Sequence, residues 1–336
     1  MRIAAGRLQR IGGRLPTVVS NSGASWSARH GLLFELVSED GRTGRGEASP
    51  LPGYSVETIE DCAAALIALT SAAFDRLELE SSAAPEVRRW LGAHSMPPAA
   101  RFAVETALFN LIAACTGRSF AELLGSAVTP HTVPLSALLS SEDLLREAAA
   151  ARARGLETLK VKIGTGRAFA DELAALRALR REVGPEIRLR LDANGAFPLA
   201  EAARRLEALS DLHAEFIEEP VPLGQLAGFA EQRAPAVPLA ADESLRIEAL
   251  RPDLLRAFGQ GRLAVAVLKP TVLGGALACL DLASELLPLG AKLTVTHAFE
   301  GPVALAAATA LASVLPGPVL AAGLDRHPGL AVWEAE

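Results

Sequence analysis

Residues 188–219 read RLRLDANGAFPLAEAARRLEALSDLHAEFIEE, and this stretch decides the fold. Arg188–Asp192 is a short run rich in leucine that ends in an acid. Asn194-Gly195 and Pro198 then punctuate the chain. From Leu199 the apolar residues fall at helical spacing, and Phe216–Glu219 is a second apolar run ending in acids. Strand, helix and parallel strand together take about 30 residues, which is the length of this phrase.

The phrase repeats in both directions. Strand candidates are Val133–Leu139, Leu159–Ile163, Arg188–Asp192, Phe216–Glu219, Leu239–Glu243, Val265–Lys269, Lys292–His297 and Val319–Asp325. The polar residues closing the last seven (Lys162, Asp192, Glu218, Asp242, Lys269, His297 and Asp325) are separated by 24 to 30 residues. Strands in this rhythm, with helical stretches between them, predict an α/β fold of the TIM type, a (β/α)7β barrel. A doubly wound open sheet would show a glycine-rich turn after its first strand, and none follows Val133–Leu139. Upstream, Leu32–Val37 and Thr43–Ala48 flank a hairpin turn at Asp40-Gly41, and Val56–Leu69 and Pro98–Cys115 read as helices. The expected organisation is an α+β capping domain over 1–128 and a barrel over 129–325, with the tail 326–336 returning to the cap.

Composition narrows the function. The chain has 336 residues, 50% of them hydrophobic and 21% charged, enough to bury a large core. A net charge of −6 excludes a general attraction to nucleic acid or to an anionic membrane. Cys62, Cys115 and Cys279 are too scattered for a disulfide framework or a cysteine-rich zinc site. The N-terminus carries arginines and no apolar run of signal-peptide length, so the expected location is the cytoplasm. The most membrane-like segment, Val303–Leu324, is interrupted by Pro316-Gly317-Pro318 and reads as a helix, a break and a buried strand.

In a parallel barrel the C-terminal strand ends meet on one face, where active sites lie. Here they supply Asp192, Glu218 and Asp242, three hard oxygen donors suited to Mg2+, with Mn2+ as a substitute. Lysines flank them. The chain has 29 arginines and four lysines: Lys160, Lys162, Lys269 and Lys292. Three of the four fall at C-terminal strand ends, where an amine able to lose its proton has a use that arginine cannot serve. Lys160 and Lys162 share one side of their strand. An amine whose pKa is lowered by burial and nearby cations, beside a divalent ion, is equipped to remove a proton next to a carboxylate.

Five tetrapeptides in order carry a resemblance: Leu159-Lys160-Val161-Lys162, Leu191-Asp192-Ala193-Asn194, Ile217-Glu218-Glu219-Pro220, Ala241-Asp242-Glu243-Ser244 and Leu268-Lys269-Pro270-Thr271. Together they resemble the muconate-lactonizing subgroup of the enolase superfamily, over nearly the whole chain. Gly46–Ser55, Asp242–Arg246 and Gly323-Leu324-Asp325 are most similar to the o-succinylbenzoate synthase family, dehydratases of menaquinone biosynthesis. The resemblance implies that Lys162 abstracts the α-proton and then helps to expel water. It implies that Asp192, Glu218 and Asp242 bind Mg2+, that Lys269 stabilises the enediolate or lies against the substrate ring, and that Lys160 assists electrostatically. It places Asn194 beside the metal and Tyr54 in a cap loop over a small-molecule carboxylate substrate. In this family a serine-rich stretch follows the seventh strand and holds the succinyl carboxylate through backbone N–H groups. Thr296-His297-Ala298 stand there, and with Asn194 and Tyr54 they form the expected substrate-binding set.

Other readings compete with these. Racemisation of N-acylamino acids would use Lys162 and Lys269 as opposed bases, and muconate cycloisomerisation would use the same machinery. A catalytically silent barrel that only binds would leave the constellation incomplete, whereas all its positions are filled. A single acid at a strand end caps a helix more often than it binds metal. Glu219 and Glu243 point to the other face of their strands, and Glu219 is either a ligand or a support of one. A basic His297 would need an aspartate one strand earlier, where Lys269 stands, so it reads as a pocket wall. Lys292, at the bottom of its strand, reads as a solubilising charge. Trp26 and Arg29 belong to a Ser/Gly-rich loop, Ser20–Ser27, and the Ala-rich helices make a homo-oligomer plausible.

Overall fold

The computed structural model describes residues 2–20, 24–69, 74, 83–139, 143–232, 234–318, 320–331 and 333–335. Eleven strands form two sheets among these residues. β1 (Ile3–Ser20), β2 (Ser25–Ser38), β3 (Thr43–Ala48) and β11 (Glu334–Ala335) make an antiparallel sheet in the order β11-β1-β2-β3. β4 (Ser136–Leu139), β5 (Thr158–Lys162), β6 (Arg188–Asp192), β7 (Phe216–Glu218), β8 (Leu239–Ala241), β9 (Val265–Leu268) and β10 (Lys292–Val295) make a parallel sheet in sequence order, with helices in the connections. The helices form where Leu and Ala recur at helical spacing, as in Phe169–Val183, whose Leu176, Leu179 and Val183 are buried.

The antiparallel sheet is covered by the helix Pro98–Thr116. Gly44 and Gly46 allow this contact: a Cβ on Gly46 would lie 1.7 Å from the Ala103 carbonyl oxygen, and one on Gly44 would lie 2.2 Å from that of Ala107. Two glycines two apart therefore remove the side chains from one face of β3 and let a helix backbone rest on it. This helix is long and apolar enough to cross a membrane by length and composition, and 67% of its apolar window is buried inside the molecule. The helix that opens the segment Val303–Leu324 ends at Val314.

The expected eighth strand is a correction. Its first residue, Val319, lies outside the described residues, and the remainder forms two single-residue parallel bridges, Leu135↔Ala322 and Thr296↔Gly323. Pro316 and Pro318 fix their own φ angles and offer no N–H just before it, which leaves little chain for a ladder. Three predicted strand ends also move: Asp242, Lys269 and His297 stand just beyond β8, β9 and β10, in the turns that follow. Trp26 and Arg29, assigned to a loop, stand in β2, and Asn21–Gly23 of that loop lie outside the described residues.

Candidate active site

Register builds the first half of the site. β5 pairs with β6 so that Lys162 faces Asp192, and β6 pairs with β7 so that Asp192 faces Glu218. An amine and two carboxyl groups thus stand side by side at the ends of three neighbouring strands. Lys160 lies on the same side as Lys162, one pleat below. Its ammonium reaches Asp192 Oδ2 at 2.8 Å and Glu218 Oε2 at 2.5 Å.

Backbone turns build the second half. Glu219 has φ +36°, a left-handed conformation strained for a side chain of its size. The turn aims its carboxylate at the loop after β8, where Oε1 accepts from the Asp242 and Ser244 N–H groups at 2.9 and 2.8 Å and Oε2 accepts from Ser244 Oγ at 2.9 Å. Glu219 therefore fixes the backbone that presents Asp242. Asn194, also left-handed at φ +41°, donates its N–H to Asp192 Oδ1 at 3.2 Å and its amide Nδ2 to Glu243 Oε1 at 2.9 Å. Lys269 donates to Asp242 Oδ2 and to the Tyr54 hydroxyl, each at 2.5 Å, and the hydroxyl donates to Asp242 Oδ1 at 3.2 Å. Tyr54 comes from the loop after β3, so that loop touches Asp242, just beyond β8, directly.

Burial sets the electrostatics. It lowers the Lys162 pKa, Asp192 opposes that shift, and the charges of Lys160 and Lys269 deepen it. Burial also acts against the Lys160 ammonium, but Asp192 and Glu218 outweigh it and hold that group charged above the ordinary lysine range. Lys269 is raised in the same way, by Asp242 and Glu243 against burial. Asp192, despite its burial, is held down at about 2 by Lys160, Lys162 and Lys269. Burial among other acids pushes Glu218 up to about 7. One buried ammonium (Lys160) is thus locked in its charged form, and one amine (Lys162) is eased toward neutrality.

A cavity of about 60 Å³ is lined by Tyr54, Lys160, Lys162, Asp192, Asn194, Lys269, Thr296, His297 and Ala298. Glu218 and Asp242 join these residues through Lys160 and Lys269. As placed, no three Asp, Glu, His or Cys side chains among the described residues stand close enough to hold a metal ion between them. Ammonium groups take that place, Lys160 between Asp192 and Glu218 and Lys269 on Asp242. The donor set fits a hard divalent cation, because the site already gathers anionic oxygens around positive charge and offers no sulfur.

The sequence missed several supports. Arg29, 1% exposed, donates to the carbonyls of Phe299, Pro50 and Ser49 at 3.0 to 3.1 Å. Glu47, inside the quoted Gly46–Ser55 stretch, accepts from the N–H groups of Gly301, Val303 and Ala304 at the start of the helix Pro302–Val314. His327 packs against Phe299 with ring centroids 4.9 Å apart, and Phe299 lies 5.1 Å from His297. Burial lowers the pKa of both histidines, that of His327 to about 4. Both are neutral pocket walls at neutral pH.

Comparison with known proteins adds to this geometry. Residues 143–334 match the family described as enolase C-terminal domain-like, and residues 17–95 match the MenC N-terminal domain. The chain is 36% identical over 206 residues to an o-succinylbenzoate synthase of Thermobifida fusca, a match covering 61% of this chain and 62% of that protein. It is 32% identical over 313 residues to the o-succinylbenzoate synthase of Thermosynechococcus vestitus, covering 90% of this chain and 86% of that one. A dipeptide epimerase of Methylococcus capsulatus, solved with Mg and the dipeptide L-Arg-D-Lys, superposes with a TM-score of 0.79 at 27% identity, covering 98% of this chain and 92% of that one. The chain belongs to the enolase superfamily, and o-succinylbenzoate synthases are among its relatives.

Proposed function

We propose that this protein is a Mg2+-dependent o-succinylbenzoate synthase, a carbon–oxygen lyase that converts a succinyl-hydroxycyclohexadiene carboxylate to o-succinylbenzoate and water. The observation that carries the reading is the in-register row Lys162, Asp192, Glu218, which sets a lysine eased toward neutrality beside acids bridged by a second lysine. Similarity to the Thermosynechococcus vestitus synthase over 90% of the chain supports the substrate class. Asp192, Glu218 and Asp242 would hold Mg2+, or Mn2+ in its place, once Lys160 and Lys269 release them. When bound, the ion supplies a Lewis acid that stabilises negative charge on the substrate carboxylate.

The chain's own residues do the rest. The free amine of Lys162 takes the proton α to the carboxylate. The resulting ammonium gives that proton to the departing hydroxyl on the same face, so water leaves and the ring becomes aromatic. The Lys269 ammonium balances the charge that builds up between these steps. Asn194 orients Asp192, Glu219 holds the Asp242 loop, and Tyr54 covers the site with the cap loop, excluding water. Thr296, whose buried Oγ1 has no hydrogen-bond partner among the described residues, is a donor toward the substrate.

The two bridges at Ala322 and Gly323 support reading the parallel sheet as a closed (β/α)7β barrel over 129–325. The pairing of Ala335 with Ile11 supports a cap of 1–128 with the tail 326–336. A cytoplasmic location goes with this reading, as does freedom from nucleic acid and membrane.

Absorbance assay of the dehydration with Mg2+ tests the proposal. Turnover is expected in the wild type and a loss of at least about a thousandfold in Lys162→Ala, with the fold and Mg2+ binding kept. Undiminished turnover in that variant would remove Lys162 from the mechanism. Racemisation of N-acylamino acids is the second reading, favoured by the placement of Lys162 at the end of β5 and Lys269 just beyond β9, with three strands between them. Exchange of the α-hydrogen with deuterated water from both enantiomers would select it.

A further inference from the structure

The cavity over the acids has two walls drawn from opposite ends of the chain. The loop after β3 supplies Leu51 and Tyr54, and the loop after β10 supplies Thr296, His297, Ala298 and Phe299. A substrate with its reacting carbon at Lys162 lies between these walls. Whatever fixes one wall against the other therefore shapes the binding site.

One buried side chain bonds to both loops. Arg29, in β2, donates from Nε to the Phe299 carbonyl at 3.0 Å, from Nη1 to that of Pro50 at 3.1 Å and from Nη2 to that of Ser49 at 3.0 Å. A guanidinium can do this because its donors diverge in a rigid plane, whereas an ammonium is a compact point charge. Gly31, two residues further along β2, lets the first loop lie close: a Cβ there would stand 2.2 Å from Ser49 Oγ. Trp26, three residues before Arg29, adds a second tie. Its Nε1 donates to the Pro52 carbonyl at 2.9 Å, and its ring lies 6.3 Å from that of Phe299.

The second wall is one that needs holding. Phe299 has φ +57°, a left-handed conformation strained for an aromatic residue, and its carbonyl is the one that Arg29 takes. On either side, Glu300 accepts the Ala298 N–H and Glu47 accepts that of Gly301. Burial pulls the Arg29 pKa down to about 10, and the charges of Glu300 and Glu47 oppose that shift. The guanidinium thus stays charged at neutral pH and answers both acids.

We propose that Arg29, helped by Trp26, is a positioning residue for the reaction: it clasps the loops after β3 and β10 at the spacing that receives the substrate. Arg29 does not itself line the cavity and acts through the carbonyls that it holds. The inference rests on the reading that places the substrate over Lys162.

Arg29→Lys is the test, because it keeps the charge beside Glu47 and Glu300 and loses the fork. Hydrogen exchange read by mass spectrometry examines the loops without ligand. The amides of Tyr54 and Ser55, and those of Ala298 and Gly301, should exchange about tenfold faster than in wild type. With Mg2+ present, calorimetry should give about tenfold weaker o-succinylbenzoate binding, and the dehydration assay a KM raised by a similar factor with kcat within about threefold. The thermal shift caused by Mg2+ should be unchanged, since Arg29 bonds to none of the three acids. A merely structural role would lower the melting temperature and leave the KM and the o-succinylbenzoate affinity of the folded protein alone. That result overturns the proposal, and so does loosening of one loop without the other. If Arg29→Lys does not fold, Trp26→Phe cuts the bond to Pro52 and keeps a ring. It should speed exchange at Tyr54 and Ser55 and raise KM about threefold, and no change in either overturns the clasp. If both loops loosen in Arg29→Lys while the wild type neither binds o-succinylbenzoate nor dehydrates the substrate, the clasp stands and the synthase reading falls.

Discussion

Two groups of buried acids behave oppositely in this molecule. At the strand ends, Asp192, Glu218 and Asp242 are answered by ammonium groups on flexible stems. At the seam between the antiparallel-sheet region and the helices that connect the parallel strands, Glu47 and Glu105 are answered by backbone N–H groups. Glu47 caps the start of Pro302–Val314, and Glu105, on Pro98–Thr116, accepts from Ala276 and Leu277 at the start of Ala276–Leu286. A lysine can swing away and leave its acid to a metal ion. A backbone donor cannot. The first arrangement suits exchange of partners, and the second suits holding two layers of structure in one position.

The sharpest break of this contrast is at Glu47. Glu47→Ala strands two buried N–H groups and one half-buried one and should cost about 3 kcal/mol, read as a fall in the denaturant midpoint. A loss below about 1 kcal/mol would mean that the seam does not depend on this acid. The strand ends come next. Mg2+ at a hundred times its Kd should stabilise the wild type by about 2.7 kcal/mol, and in Glu218→Gln this gain should shrink sharply. Without metal, that variant should lie within about 1 kcal/mol of wild type, because burial already pushes the Glu218 carboxyl up to about 7. Thermal melts with and without Mg2+ give both values.

The smallest effect is a pH dependence at the seam. Burial raises Glu105 to about 8 from its ordinary value of 4.5, so the folded state keeps a proton that the unfolded chain has lost. Its contribution is complete below pH 4.5 and declines as pH rises through 8. Between pH 7 and 8 the wild type should lose about 1 kcal/mol relative to Glu105→Gln. Parallel stability curves for the two proteins would show that Glu105 does not titrate in this range.

The same contrast explains what the sequence discloses. The strand-end acids and lysines were legible because each closes an apolar run, and the runs recur at a regular interval. Glu47 was not, since its partner Gly301 lies 254 residues away and a contact across that distance leaves no local pattern. The helix Ala83–Gly92 and the 18-residue length of β1 escaped for a related reason. The apolar residues of β1 are broken up by three arginines and three glycines and keep no strict alternation, and pairing with β2 is what holds it extended. Tyr54 read equally as a turn or a lid residue, and its contact with Asp242 depends on how the loop after β3 lies over the parallel strands. The placement of Lys160 between two acids follows from strand register, which a list of spacings does not contain.

The scarcity of lysine has a practical side. Lys269 is buried and Lys160 and Lys162 are largely enclosed, whereas Lys292 is exposed at the start of β10, at the far end of the parallel strands from the acids. An amine-directed dye or tether therefore meets one open side chain besides the α-amine. It would mark the molecule on the side remote from its chemistry, so that the protein can be immobilised facing outward without redesign.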